Sequence, residues 1–162
     1  MPSIYPAYAP TDRTFSFQAA LLAGLLSIVV NTTLLIVADR FHIVTARGGL
    51  LTLLLDLIGA PLPSWLASWV TSWPFRQLFH VAVGVAMIVI YAATLARLYA
   101  PVIAKGLFSA ALVWLVNAAV ILPAIGQGFA GAKMLSPLGM TLFGAAHTLF
   151  FLMGAVLYER WR

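Results

Sequence analysis

The stretch FSFQAALLAGLLSIVVNTTLLIVA, residues Phe15–Ala38, decides the fold because it carries no charged side chain. A helix that crosses a membrane needs about 20 mostly apolar residues. Three more uncharged stretches follow: Gln77–Ala96, Gly106–Ala132 and Met134–Tyr158. None of the four alternates every second residue, so helices are favoured over barrel strands. We therefore predict an all-α membrane protein with four transmembrane helices at about 15–38, 76–97, 106–126 and 137–158.

The composition supports this class. Of the 162 residues, 63% are hydrophobic and 8% are charged, whereas soluble domains carry roughly 25% charged residues. The net charge of +5 is spread over the helix ends. Without a basic cluster, nucleic acid is excluded as a partner, and the lipid bilayer is the expected surroundings. The chain has no cysteine, which excludes disulfides and thiolate metal sites.

The charges predict one transmembrane domain, 15–162, after an N-terminal tail, 1–14. Four crossings place both termini and the loop 97–105 on one side of the membrane. That side carries Arg13, Arg97, Lys105, Arg160 and Arg162, and the other carries Arg40, Arg47, Arg76 and Lys133. By the positive-inside rule, the termini of this multi-pass chain are predicted to lie in the cytoplasm, with the helices in the cell membrane.

The segment 48–74 between the first two spans is too long for a tight turn. Its second part, PSWLASWVTSWPF (Pro63–Phe75), contains Trp65, Trp69 and Trp73 at a spacing of four. Tryptophan prefers the membrane–water interface, and this spacing forms one stripe on a helix. We predict two short interfacial helices anchored by these indoles. The alternative is that the indoles pack on this protein or a partner, and whether 48–60 dips into the bilayer stays open.

Two pairs of segments resemble each other and predict a repeat. VVNTTLLIVADRF begins at Val29 and LVNAAVILPAIGQGF at Leu115, while HVAVGVAMIVIY begins at His80 and HTLFFLMGAVLY at His147. In the second pair, histidine precedes tyrosine by about three helical turns. This pattern predicts two helical hairpins related by a pseudo-two-fold axis along the membrane normal. A coincidence of helix-packing patterns is the alternative.

Polar side chains within the spans are costly unless they are paired. Asn31 and Asn117 are predicted to hydrogen-bond across helices. Ser27 lies one turn before Asn31, on a small and polar stripe that suits close helix contact. The tyrosines of the repeat, Tyr91 and Tyr158, share a helix face with their histidines. We interpret these five as helix-packing polar residues.

His80 and His147 leave several hypotheses open. They could ligate haem b or contact a quinone head group, and Arg76, one turn before His80, could then face a haem propionate. The alternatives are interhelical hydrogen bonds and contacts with lipid head groups or a partner. No third carboxylate or thiolate ligand accompanies the histidines, so no closed metal site is predicted. The sequence contains no recognisable catalytic motif.

The segments WPFRQLFHVAVGVAMIVIYA, WLVNAAVILPAIGQGFAG and GAAHTLFFLMGAVLY together resemble small bacterial four-helix integral membrane proteins of unknown function. The resemblance covers roughly Trp73 to Tyr158. The shared features are a histidine early in span two, an asparagine in span three with a proline and a glycine near its end, and a histidine in span four. It implies a four-helix fold in a membrane, and it implies no reaction.

The leading functional hypothesis is a non-catalytic accessory or assembly subunit that packs against other membrane proteins or copies of itself. It rests on the scarcity of chemically reactive groups and on the many Gly and Ala residues suited to close helix contact. The first alternative is a small redox subunit that binds haem b or quinone through His80 and His147. The second is an oligomeric channel or carrier for small molecules.

Overall fold

A computed structural model describes residues 14–46, 48–59 and 61–162. Within these ranges the chain is helical and contains no strand. The prediction of four helices long and apolar enough to cross a membrane is confirmed. The predicted tail lies outside the described residues except for Thr14, and so do Arg13 and Arg47 of the charge comparison.

The long helices begin close to the predicted positions. α1 spans Phe17–Arg40 and α4 spans Trp73–Ala93. Ser16 Oγ accepts a hydrogen bond from the Ala19 N–H at 3.3 Å, and Ser72 Oγ accepts one from the Phe75 N–H at 3.4 Å. These caps satisfy backbone donors that a helix start leaves unpaired. α4 therefore starts at Trp73, three residues before the predicted bound.

The third span contains a change of helix type. It comprises α5 (Val102–Val116), a π-helical turn (Asn117–Ile121) and the short α6 (Leu122–Ala124). In the π-helical turn the Leu122 N–H bonds the carbonyl of Asn117. Pro123 explains the change, because proline lacks an N–H and its ring crowds the carbonyl four residues earlier. π-Helical turns occur frequently at functional sites.

The fourth span, α7, runs over Pro137–Trp161 and is capped by Ser136 Oγ, which accepts from the Gly139 N–H at 3.1 Å. α7 packs along α1 and α5, and α1 packs along α4. Glycines permit the close approach: a Cβ on Gly24 would lie 3.1 Å from Val85 Cα, and one on Gly106 would lie 3.3 Å from Leu152 Cα. Gly24 thus lies against α4, and Gly106 lies against α7.

Two short helices occupy the segment 48–74. α2 spans Gly49–Ile58 and α3 spans Ser64–Thr71. The exposed fractions of Trp65, Trp69 and Trp73 are 72%, 56% and 63%. The three indoles therefore point largely away from the rest of the chain, although the Trp69 ring lies 4.5 Å from that of Phe75. Their position relative to a bilayer stays a prediction.

The position of Lys105 corrects one prediction, because the charge pattern placed this residue in the loop 97–105. It lies in the first turn of α5 and is only 4% exposed. Its Nζ forms an ion pair with Glu159 of α7 and donates to the Ala96 carbonyl at 3.2 Å. The pairing explains how a charged side chain is buried at this helix start.

Candidate functional site

A cavity of about 320 Å³ lies among the helices, with walls from all four spans and from α2. It contains both asparagines and both histidines that the sequence singled out. Its polar lining residues are Asn31, Thr71, Arg76, Gln77, His80, Asn117 and His147. Each predicted hairpin contributes one asparagine and one histidine, and the structure brings all four to the same cavity.

One asparagine–histidine pair joins α1 to α4. Asn31 is 2% exposed, and its Oδ1 lies 3.2 Å from His80 Nε2. Since an amide oxygen only accepts hydrogen bonds, His80 Nε2 is the donor. The second polar atom of the amide, Asn31 Nδ2, is buried and has no partner among the described residues. The wall thus contains a hydrogen-bond donor that this part of the chain does not satisfy.

His147 of α7 is oriented by its own helix. Its Nδ1 lies 2.9 Å from the Phe143 carbonyl, so Nδ1 carries the proton. In the neutral imidazole Nε2 is then an acceptor. The imidazole also packs on the Phe143 ring, with centroids 4.3 Å apart. These two contacts fix the ring plane within the cavity.

Asn117 is the first residue of the π-helical turn and lines the cavity. Its Nδ2 donates to the Val113 carbonyl at 2.9 Å. This bond lies within the helix and differs from the interhelical bond that the sequence predicted. The Val113 carbonyl therefore accepts both from this amide and from the Asn117 backbone N–H.

Two further contributions to the wall, from Gln77 and from residues 48–51, were not expected from the sequence, whereas that of Arg76 was. Gln77 lines the cavity, and its buried Oε1 has no partner among the described residues. Residues 48–51 of α2 and the turn before it form another part of the wall. Arg76, noted for its spacing to His80, is the charged residue among the described lining residues, and no carboxylate joins it there.

Ligation of haem b by both histidines stays a prediction, and one of the ring nitrogens is engaged in a hydrogen bond in this structure. Axial ligation needs a ring nitrogen on each side of the iron, and His80 Nε2 already donates to Asn31. Within the described residues, no group of three or more His, Asp or Glu side chains could hold a metal ion. The arrangement instead suits hydrogen bonding to an organic head group.

The two tyrosines lie at the other end of the bundle, around an ionic cluster. Their rings meet edge to face, with centroids 6.3 Å apart. Tyr91 OH donates to Glu159 Oε1 at 3.4 Å, and Tyr158 OH accepts from the Ser16 N–H at 3.4 Å. Arg162 pairs with Glu159 and lies 5.7 Å above the Tyr158 ring. This cluster connects α4, α5 and α7, and no pattern in the sequence predicted it.

Ser27 is fully buried where α1 meets the other spans. Its Oγ would lie 3.4 Å from a Cβ on Gly154, and it has no partner among the described residues. The contact supports the small-residue stripe as a packing surface. It places Ser27 outside the cavity wall.

No family model, curated protein or solved structure matches this chain. The resemblance to small bacterial four-helix membrane proteins therefore stays a prediction.

Proposed function

We propose that the protein is a membrane-embedded binding protein that holds a small lipid-soluble molecule in the cavity. The observation that carries the proposal is that Asn31, His80, Asn117 and His147, from four different spans, line the same cavity. Intramembrane polar residues are costly and usually functional. A cavity of about 320 Å³ is at the lower end of the size of small-molecule sites.

The packing supports entry from the lipid. α4 and the π-helical turn that follows α5 both line the cavity, yet α4 and α5 do not pack along each other. Each packs instead on an inner helix, α4 on α1 and α5 on α7. We infer that a molecule dissolved in the bilayer enters between α4 and α5, because these two helices do not pack along each other.

Native mass spectrometry tests this function. The protein is released from nanodiscs that contain the membrane lipids of its expression host, and its mass is measured. Wild-type protein is expected to retain a small-molecule adduct. Val83→Trp, which fills the cavity wall, is expected to lose it. Ile90→Trp is the matched control, because Ile90 is on the same helix and 61% exposed. Wild-type protein without an adduct, or equal retention by Val83→Trp, contradicts the proposal.

An accessory or assembly role is the second candidate. It is supported by the outward apolar side chains of the segment between the first two spans, including Leu57 and Ile58 of α2 at 72% and 55% exposure and the tryptophans. Such a surface suits either the membrane interface or a partner. Native-size analysis in mild detergent distinguishes the two, since a lone monomer that keeps its adduct counts against the accessory role. The channel or carrier stays a prediction that requires flux in proteoliposomes.

The two-hairpin repeat is part of the same proposal. Its support is that α1 packs on α4 and α5 on α7, and that each hairpin contributes one asparagine and one histidine to the cavity. The two pairs differ in detail, since Asn31 bonds His80 whereas Asn117 bonds its own helix.

We further propose that the helices lie in the cell membrane with cytoplasmic termini. Because the chain has no cysteine, single-cysteine variants report topology without background. Met134→Cys, in the loop before α7, should react with an impermeant maleimide in intact cells. Tyr99→Cys, in the loop before α5, should react only after lysis. The reverse pattern places the termini outside.

A further inference from the structure

The cavity combines a hydrogen-bond donor with acceptors. Asn31 Nδ2 is a buried donor and Gln77 Oε1 a buried acceptor, both without a partner among the described residues. His147 lines the cavity and offers a second acceptor, Nε2, which a bound ligand would cover, because its Nδ1–H is used by the Phe143 carbonyl. A ligand that satisfies this wall must therefore both accept and donate hydrogen bonds.

The remaining wall suits a flat ring. Phe79, Phe143 and Phe150 line the cavity together with Met87. Aromatic rings favour offset or edge-on contacts with another ring, and methionine makes favourable contacts with ring edges. The volume of about 320 Å³ accommodates a small aromatic head group better than a macrocycle.

The charge of the wall excludes one class of ligand. The described lining residues include Arg76 and no Asp or Glu. A cationic amine would therefore meet a guanidinium and no counter-ion, which is unfavourable. Arg76 itself is exposed, so it lies toward the rim rather than in the buried part of the wall. Among the described residues, the unpartnered buried groups of the wall are the amide atoms of Asn31 and Gln77, which carry no charge and match a neutral head group.

We propose that the cavity binds a hydroxyl-bearing aromatic head group of the phenol or hydroquinone class, attached to an apolar tail. A hydroxyl of the head group donates to His147 Nε2, and a hydroxyl oxygen of the head group accepts from Asn31 Nδ2. An oxidised quinone carries acceptors only, so it leaves His147 Nε2 without a donor. Because a buried polar group without a partner is costly, the reduced form binds about tenfold tighter or more. This inference rests on the proposed function.

The test measures ligand occupancy by native mass spectrometry in phosphatidylcholine nanodiscs. The probes are decylhydroquinone kept reduced, decylquinone, the dimethyl ether of decylhydroquinone and decanoic acid. Wild-type protein is expected to bind the hydroquinone about tenfold tighter than the quinone or the ether, which cannot donate. His147→Phe keeps a ring but removes the acceptor, and it is expected to bind hydroquinone and quinone equally. Circular dichroism of this variant checks its folding.

The comparison among probes uses wild-type protein, so the inference is testable even if His147→Phe does not fold. Equal binding of hydroquinone and its ether overturns the inference. Preferred binding of decanoic acid, abolished by Val83→Trp, also overturns it but leaves the binding function intact. If no probe binds and no adduct is retained from the host membrane, both the inference and the binding function fail.

Discussion

Glu159→Gln is expected to destabilise the protein strongly, because Glu159 balances the buried ionic cluster. Its carboxylate pairs with Lys105 and Arg162 and accepts from Tyr91. The side chains of Lys105 and Glu159 are only 3% and 11% exposed. Removing one partner of a buried ion pair leaves an uncompensated charge, which costs about 3–5 kcal/mol. The unfolding constant should then rise by a factor of about 10² to 10⁴.

Equilibrium unfolding by SDS in mixed micelles measures this change. Arg160→Gln is the matched control, since Arg160 is the next residue and is exposed, and it is expected to stay within about 0.5 kcal/mol of wild type. The triple variant Lys105→Met, Glu159→Leu, Arg162→Leu should recover much of the loss, because apolar replacements of all three partners leave no buried charge in the cluster. A Glu159→Gln variant as stable as the Arg160→Gln control would refute the reasoning.

Three further predictions concern packing and the membrane interface. Gly154→Ala should lower the free energy of unfolding by about 1–3 kcal/mol, because the added Cβ would collide with Ile88 Cδ1. Adding Ile88→Val removes that atom and should restore the stability, which SDS unfolding of both variants measures. Ser27→Ala should be neutral or stabilising by the same assay, since it removes a buried hydroxyl without a partner among the described residues, and a loss above about 1 kcal/mol would point to a missing partner. In a Trp114→Phe, Trp161→Phe variant, the tryptophan fluorescence comes only from the three residues of the stripe. Quenching of this fluorescence by spin-labelled lipids should place the indoles about 15 Å from the bilayer centre. Quenching that is strongest at the centre would show that the segment is re-entrant.

The four spans were predictable because uncharged apolar length is a local property of the sequence. Span ends were less predictable, since they depend on caps such as Ser72 and on partners that are distant in the sequence. Lys105 illustrates this limit: the charge pattern placed it in the loop 97–105, and only the position of Glu159, more than fifty residues later, explains its burial.

The candidate site was predictable in its residues but not in its geometry. Polar residues within apolar spans singled out Asn31, His80, Asn117 and His147. Their convergence on a shared cavity depends on helix rotation, which the weakly amphipathic spans do not specify. Gln77 begins an uncharged stretch, and no local feature of the sequence indicated that its side chain lines the cavity. Pro123 was the available signal for an irregular helix near Asn117.

Cysteine accessibility tests the central claim most directly, because it needs no knowledge of the ligand. Polar walls admit water, whereas lipid-facing positions do not. Asn117→Cys and His147→Cys are therefore expected to react with a small methanethiosulfonate in nanodiscs and to be protected by Val83→Trp. Val120→Cys and Leu149→Cys, on the same helices at 56% and 44% exposure, should stay unreactive. Equal labelling of all four positions, or no protection by Val83→Trp, would contradict the existence of a shared polar cavity.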